Sequence, residues 1–268
     1  MIRPLCRAMI RKLQWIPAVG WYARDWRKFR RAVAAAGDRR FAPPAIADGY
    51  PCLLDRTSQT GFDRHYIYHP AWAARILAQT RPAYHADFSS SLTFCSIVSA
   101  FLPVRFYDYR PADLRLSNLE MQSCDLTKLP FETGSLPSVS CMHVIEHIGL
   151  GRYGDPIDPQ GDSKAMHELG RVVAPGGSLL IVTPVGVPVI RFNAHRIYSM
   201  DMILREFPGF DLKLFTLIPN APEDGGPIDQ ATPERVAQER FGCGCFWLVK
   251  RQGSAGQSPE SLANKVAG

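Results

Sequence analysis

Hydrophobic runs that suit buried strands alternate with segments of helical periodicity between residues 65 and 250. The strand-like runs are 83–88, 104–107, 138–144, 178–182, 210–218 and 245–250. Helices are predicted over 71–79, with Pro70 at the first turn, over 94–102 and over 162–173. This alternation indicates an α/β fold with a mostly parallel sheet covered by helices on both faces. The last two strands have no helix between them, which predicts an antiparallel edge strand.

A basic segment with helical periodicity precedes this body. Residues 1–40 contain eleven Lys or Arg and two Asp, a net charge of +9, whereas the whole chain carries +6. Tyr22, Trp26, Phe29 and Val33 recur at helical spacing and form one apolar stripe. We therefore predict a basic amphipathic helix, which either packs on the folded body or binds an anionic membrane surface peripherally. The slightly acidic remainder argues against a nucleic-acid partner.

The cysteine content suggests the compartment of the protein, and its Pro/Gly-rich stretches suggest the domain boundaries. Seven cysteines at uneven spacings, without a signal-peptide pattern, favour the cytoplasm, with peripheral contact at the inner membrane face if the arm binds lipid. No apolar run approaches the 18 residues that suggest a spanning helix. Cys243 and Cys245 lack a second Cys pair, so no metal site is predicted. We expect a basic helical arm with a Pro/Gly-rich connector (1–64), a folded body (65–250) and a flexible tail (251–268).

Polar residues follow the predicted strands at the edge where open α/β sheets bind ligands. Asp87 lies at the end of the first strand, Ser89 and Ser91 follow it, and Asp108 ends the second strand 21 residues after Asp87. An acidic residue at about this distance from a tight first turn can bind the hydroxyl pair of a ribose. Asp108 is therefore a candidate for binding a ribose at this edge.

Three later stretches resemble, in the same order, motifs of the class I S-adenosylmethionine-dependent methyltransferases. They are Asp125–Ser135 (Asp-Leu-Thr-Lys-Leu-Pro-Phe-Glu-Thr-Gly-Ser), His143–Ile148 (His-Val-Ile-Glu-His-Ile) and Glu168–Leu179 (Glu-Leu-Gly-Arg-Val-Val-Ala-Pro-Gly-Gly-Ser-Leu). The resemblance covers about residues 83–250 and implies a Rossmann-like methyltransferase sandwich. Glu146–Asp155 and Phe192–Ser199 are also similar to an uncharacterised domain family with this core, which supplies no substrate.

The resemblance also implies roles for individual residues. Asp87, Ser89 and Ser91 would line the methionine moiety, and Asp108 would bind the ribose hydroxyls. Asp125 would accept a hydrogen bond from the adenine amino group with Leu126 beside the ring, and His143 would lie near the methyl group. His143, His195 and Glu146 are the candidates for catalysis. Structural alternatives stay open, since Asp125 can cap a turn, Glu146 can close one and His195 can pack behind the site.

The chain departs from the family in the first loop, where the three family glycines fall on Ser89, Ser91 and Thr93. Serine disfavours the positive φ that glycine allows there. Residues 65–69, which precede the first strand and the predicted helix before it, hold two His and two Tyr, which suit either core packing or a lid over the cofactor.

These observations predict transfer of a methyl group from S-adenosylmethionine to an oxygen or nitrogen of a small-molecule or carbohydrate-like acceptor. The glycine-free loop leaves open a non-catalytic, methyltransferase-like binding or scaffold protein. A nicotinamide-dependent oxidoreductase is disfavoured because the Gly-x-Gly-x-x-Gly turn that approaches a pyrophosphate is missing.

Overall fold

A computed structural model describes residues 4–37 and 40–252, with side chains described from Pro17 onward. The predicted flexible tail lies outside the described residues from residue 253 on. The chain divides into two compact units, one ending at Phe62 and the other beginning at Asp63. No helix within 4–37 or 40–252 combines the length and hydropathy that a bilayer-spanning segment requires.

The first unit is built on helix α1 (Pro4–Ala35). The rings of Tyr22 and Trp26 stack with centroids 6.2 Å apart, and Gly49 of the following loop lies so close that a Cβ there would be 3.2 Å from Tyr22 Oη. Arg56, from the same connector, lies 4.9 Å from the centroid of the Trp21 ring. The connector therefore covers part of the predicted apolar stripe, while Phe29 is 60% exposed.

The second unit contains five helices and ten strands among its described residues. The helices are α2 (Arg64–Thr80), α3 (Leu92–Val98), α4 (Gly161–Val172), α5 (Met200–Glu206) and α6 (Pro233–Val236). The strands are β1 (His85–Phe88), β2 (Val104–Asp108), β3 (Leu119–Ser123), β4 (Leu136–Met142), β5 (Val173–Val185), β6 (Val189–Arg191), β7 (His195–Ile197), β8 (Phe210–Ile218), β9 (Ile228–Asp229) and β10 (Gly242–Lys250). Strands β6 and β7 form a separate hairpin.

The main sheet has the order β3-β2-β1-β4-β5-β10-β8-β9. The first five strands in this order are parallel, and β10 runs antiparallel to both of its neighbours, β5 and β8. The strand order reverses between β1 and β4, which leaves a crevice at their carboxyl ends. This arrangement confirms the predicted Rossmann-like α/β sandwich with a mostly parallel sheet. The last two predicted strands, β8 and β10, pair antiparallel, and the outermost strand β9 is antiparallel to β8.

Both faces of the sheet are buried, because side chains alternate along the central strands. On β5, Leu179 and Ile181 pack into the cluster that includes α4 and α5, while Leu180 and Val182 pack into the cluster that includes α2 and α3. Because β1 to β5 run parallel, their carboxyl ends lie along one edge of the sheet. This edge carries the candidate site.

Helix α2 begins earlier than the sequence predicts. The Asp63 side chain accepts a hydrogen bond from Tyr66 N–H and caps the helix, so the predicted start at residue 71 is wrong. Pro70 lies inside the helix instead of opening it. Proline removes one helical hydrogen bond, but the buried side chains of His65, His69 and Trp72 on this face hold the segment against the sheet.

Candidate functional site

A cleft of about 520 Å³ opens at the carboxyl ends of β1 to β4. Its lining includes five of the seven residues predicted to bind the cofactor: Ser89, Asp108, Asp125, Leu126 and His143. These residues follow four different strands, and the parallel sheet brings them together. The opposite wall comes from the loop after β4 and the start of α4.

Asp87 does not belong to the described lining, contrary to the role that the family resemblance implies. Its side chain is fully buried and accepts hydrogen bonds from Ser90 N–H at 3.0 Å and from the Ser140 hydroxyl. Burial raises the pKa of Asp87 to about 6, although the hydrogen bonds from Ser140 and Ser90 lower it. Asp87 thus holds the turn after β1 from beneath.

A buried polar chain continues from Asp87 under the sheet edge. His85 Nε2 is 2.8 Å from Ser140 Oγ, and His85 Nδ1 is 2.8 Å from Ser138 Oγ. Burial lowers the pKa of His85 to about 3, so the ring is neutral. Because Ser140 donates to Asp87, Nε2–H of His85 donates to Ser140 and Ser138 donates to Nδ1. The side chains of this network therefore satisfy one another within the protein.

The first loop adopts the conformation that its sequence disfavours. Ser89 has φ 58°, in the left-handed region where the family carries glycine. Its N–H donates to Tyr107 O at 2.8 Å, which ties the loop to β2. A left-handed non-glycine residue costs about 1–2 kcal/mol. Ser91, the other predicted loop residue, is outside the described lining and instead caps α3 by accepting from Phe94 N–H at 3.2 Å.

The two acidic residues predicted to bind the nucleoside both border the cleft. Asp108 Oδ1 accepts from Arg110 N–H at 2.7 Å. Asp125 Oδ1 accepts from both the N–H and the hydroxyl of Thr127, at 2.9 and 2.7 Å. Asp125 therefore caps its turn, as the structural alternative for this residue predicts. Both side chains make these contacts through Oδ1, and both remain part of the lining.

The loop after β4 forms a wall that the sequence did not single out residue by residue. The Asp155 carboxylate accepts from the N–H groups of Gly149, Gly151 and Tyr153 at 2.8, 3.3 and 3.2 Å. Burial alone would raise the pKa of Asp155, but these backbone donors hold it below its usual value. The signal available in the sequence was the Gly-x-Gly turn just before this Asp.

His143 joins the cleft to the protein interior. It has φ 58°, and its N–H donates to Val182 O at 2.7 Å. Its Nδ1 is 2.9 Å from Glu146 Oε1, and Glu146 is only 1% exposed. Burial opposes a charge on His143, but the Cys243 thiol and the Glu146 carboxylate beside it outweigh burial and raise the pKa of His143. Glu146 therefore stands behind His143 and is outside the described lining of the cleft.

His195, the third residue predicted for catalysis, is also outside the described lining. Its ring lies 4.9 Å from that of Phe241, and burial lowers its pKa. This agrees with the alternative that His195 packs behind the site. His147 does line the cleft, and its Nδ1–H donates to Ala194 O at 2.6 Å.

The sequence predicts no metal ligand, yet the described residues contain one group with suitable donors. Ligand atoms of His65, His143 and Cys243 all lie within 4.8 Å of one another. The Sγ atoms of Cys243 and Cys245 are 3.9 Å apart on β10.

Sequence and structure comparisons add a family match. No curated protein sequence matches this chain. Residues 117–221 match the family model described as "Caenorhabditis protein of unknown function, DUF268". This match confirms the predicted resemblance to an uncharacterised domain family. It covers the loop after β4 and the β6–β7 hairpin but not Ser89 or Asp108.

Several solved structures are similar at low identity. The [4+2]-cyclase SpnF is 13% identical, with 68% of this chain and 82% of that chain covered and a TM-score of 0.45. The YcgJ protein of Bacillus subtilis is 13% identical, with 68% of this chain and 100% of that chain covered and a TM-score of 0.46. Geranyl diphosphate C-methyltransferase of Streptomyces coelicolor, solved with S-adenosyl-L-homocysteine, is 12% identical, with 67% and 76% covered and a TM-score of 0.45.

The strand order and strand directions of this chain are those of a Rossmann-like α/β fold. Over residues 117–221 the chain is similar to the DUF268 family.

Proposed function

We propose that this protein binds S-adenosylmethionine in the cleft and transfers the methyl group to an oxygen or nitrogen of a small-molecule or carbohydrate-like acceptor. One observation carries the proposal. The same cleft of about 520 Å³ is lined by residues from the ends of four separate strands. These residues match the cofactor positions of the methyltransferase pattern. This volume is within the usual range of small-molecule sites, about 300–1,000 Å³.

The charge of the cleft suits this cofactor. Four carboxylates (Asp108, Asp125, Asp155 and Asp158) and two cationic side chains (Arg110 and Lys164) belong to the lining. S-adenosylmethionine carries a sulfonium and an ammonium group, which an acidic cleft attracts. In this proposal Asp108 binds the ribose hydroxyls and Asp125 binds the adenine amino group.

The first loop suits a cofactor without phosphate. A pyrophosphate needs close backbone approach and the free N–H groups of a helix N-terminus. Ser89 and Ser91 carry side chains where a dinucleotide loop has glycine, and Ser91 itself accepts from the first turn of α3. A nicotinamide dinucleotide would therefore lose its main anchoring interaction.

The bound cofactor supplies an electrophilic methyl group, and the protein has to align the acceptor, exclude water and accept a proton from a hydroxyl acceptor. His147 is the side chain that we propose as base, because it lines the cleft and its Nδ1–H is held by Ala194 O, so that Nε2, which lies 3.8 Å from Glu146 Oε1, is the nitrogen that accepts the proton. Glu146 acts through His143 as a positioning residue. His143 is disfavoured as a base because its raised pKa keeps the ring protonated.

A non-catalytic binding protein is the second candidate, favoured by a specific observation. Two of the three residues predicted for catalysis, Glu146 and His195, are outside the described lining of the cleft. Such a protein would bind the cofactor without consuming it.

Calorimetric titration with S-adenosylmethionine and S-adenosylhomocysteine tests the proposal. Asp108→Asn removes one charge-assisted hydrogen-bond acceptor and should weaken binding roughly 10- to 100-fold. Asp113→Asn is the matched control, because Asp113 is exposed in the same connection and pairs only with Arg115 among its described contacts. Equal affinity of both variants, or no binding by the wild type, contradicts the proposal. Incubation with labelled cofactor and cell extract then separates methyl transfer from binding alone.

A further inference from the structure

We propose that His65, His143 and Cys243 form a binding site for a divalent transition-metal ion of the Zn²⁺ type, next to the cleft. Their ligand atoms lie within 4.8 Å of one another. His65 belongs to the first turn of α2, His143 follows β4, and Cys243 is on β10. The proposal does not depend on methyl transfer, since His65 and Cys243 lie outside the described lining of the cleft and only His143 borders it.

The two histidines present nitrogen atoms that lack partners. Nε2 of His65 and Nε2 of His143 are buried and have no hydrogen-bond partner among the described residues. His65 is 6% exposed and the side chain of His143 is 5% exposed. A buried polar atom without a partner is costly, and each such case in a native protein calls for an explanation. A metal ion would satisfy both atoms at once.

Glu146 supplies the support that metal-bound histidines usually have. His143 Nδ1–H donates to Glu146 Oε1 at 2.9 Å, so the lone pair available for a ligand is on Nε2. Metal-binding histidines almost always donate their other N–H to a carboxylate or a carbonyl group. Glu146 is otherwise buried beside His143, near Thr183 Oγ1 at 3.5 Å.

The geometry and charge also fit. In a tetrahedral zinc site, ligand atoms about 2.0–2.3 Å from the ion are about 3.3–3.6 Å from one another. The three atoms therefore need to approach one another by at most about 1.5 Å to bind one ion. Binding releases the proton of the Cys243 thiol and the Nε2 proton of His143 to solvent, which leaves a thiolate and a neutral imidazole on the ion. The thiolate and the Glu146 carboxylate together neutralise a divalent cation.

His69 is a candidate for the fourth ligand. Its ring centroid lies 5.0 Å from that of His143, and its Nε2 is also buried without a partner in the described chain. Its Nδ1–H donates to His65 O at 2.6 Å, which again leaves Nε2 as the ligand atom.

Aromatic packing without a metal ion is the competing explanation for why these side chains lie together. The His65 ring stacks between the rings of His143 and Phe241, at centroid distances of 5.4 and 5.2 Å. Stacking accounts for the packing of the rings, but it leaves the Nε2 atoms unsatisfied. The two explanations differ in whether the folded chain binds metal.

Cobalt titration of the chelator-treated, full-length protein distinguishes the metal site from aromatic packing alone. We expect one Co²⁺ per chain, a thiolate-to-cobalt charge-transfer band, proton release, and displacement of Co²⁺ by Zn²⁺. Cys243→Ala should remove the band, and His65→Ala should weaken binding by roughly 100-fold or more, whereas Glu146→Gln should weaken it roughly 10- to 100-fold.

Cys141→Ala is the matched control, because Cys141 is equally buried on the strand β4 but lies outside the group. It should bind Co²⁺ like the wild type and keep the band. Circular dichroism of each metal-free variant reports whether it is folded. The absence of a one-to-one charge-transfer band in the folded wild type would overturn the proposal whatever the variants do. An equal loss in folded Cys141→Ala and Cys243→Ala would overturn it as well.

Discussion

Glu146 Oε1 lies 2.9 Å from Nδ1 of His143, and this contact fixes the orientation of a histidine that borders both the cleft and the His65–Cys243 cluster. Because Nδ1–H is held by the carboxylate, His143 can offer only Nε2 to a ligand. The residue that the family pattern places nearest the methyl group is thus also the one that links the cleft to the buried donors below it.

The left-handed conformation of Ser89 predicts an unusual order of variants. Ser89→Gly should be more stable than Ser89→Ala by about 1 kcal/mol, because both lose the hydroxyl but only glycine adopts φ 58° without strain. At Ser96, inside α3, the order should reverse, because alanine is favoured over glycine in a helix by about 1 kcal/mol. Urea unfolding of the four variants measures both differences. The same order at both positions would contradict the strain assigned to Ser89.

The raised pKa of Asp87 predicts a pH-dependent stability difference. The folded protein keeps the Asp87 proton up to about pH 6, whereas the unfolded chain loses it near 3.8, so ionisation of Asp87 destabilises the fold as pH rises through this window. The loss is about 3 kcal/mol. Asp87→Asn is neutral at every pH, so its stability relative to the wild type should increase by this amount from about pH 4 to pH 7.

The asparagine of the Asp87→Asn variant can keep the buried contacts, because its amide can donate to Ser140 while the neutral His85 ring changes tautomer. Urea unfolding at a series of pH values gives the difference in the free energy of unfolding. A difference that does not change between pH 4 and pH 7 would show that Asp87 ionises normally.

Asp155 should stabilise the wall of the cleft. Asp155→Ala leaves the N–H groups of Gly149, Gly151 and Tyr153 without their common acceptor, and we expect it to lower the free energy of unfolding by about 1–3 kcal/mol. Hydrogen exchange at the Gly149 and Gly151 amides should become faster. Asp211→Ala, which removes an exposed ion pair with Arg251, should change stability by less than about 1 kcal/mol.

We also propose that the basic helix α1 binds anionic membranes. Arg27, Lys28 and Arg31 belong to its cationic side chains, Phe29 beside them is exposed, and each cationic residue near acidic lipid contributes about 1 kcal/mol. The protein should therefore co-sediment with phosphatidylserine vesicles at low salt and be released by high salt. Vesicles of phosphatidylcholine alone are the control and should not bind it.

Removal of residues 1–40 should abolish vesicle binding and leave cofactor affinity unchanged. If the shortened protein unfolds or loses the cofactor, the arm belongs to the fold and the membrane proposal is wrong. Retained vesicle binding by a folded, shortened protein would place the lipid contact elsewhere.

The family resemblance points to three acidic residues at strand ends, of which Asp108 and Asp125 line the cleft and Asp87 is buried outside its described lining. Asp108 and Asp125 follow parallel strands whose ends meet at one edge, so their approach to a common cleft follows from the fold class. The direction of the Asp87 side chain depends on Ser140, 53 residues later on the neighbouring strand, which offers it a hydrogen-bond partner below the edge.

The sequence by itself determined the alternation of strands and helices, because hydrophobic periodicity follows from which side of each element is buried. It also determined the basic character of the first forty residues. The edge strand β3 has only Leu119 fully buried, so its pattern is too weak to set its bounds. Tertiary structure alone decided that Pro70 lies inside a helix, which depends on the cap at Asp63 and on burial against the sheet.

Only the tertiary structure decided which buried side chains with metal-binding atoms lie close together. His65 and His143 are 78 positions apart, and His143 and Cys243 are 100 apart. No local spacing links them, and each alone is compatible with an ordinary core position. The strand order places β10 beside β5 and β5 beside β4, and α2 crosses this region, so topology brings the three side chains together. The physical reason is that local sequence sets the periodicity of an element, whereas contacts between distant elements depend on the order in which the strands pair.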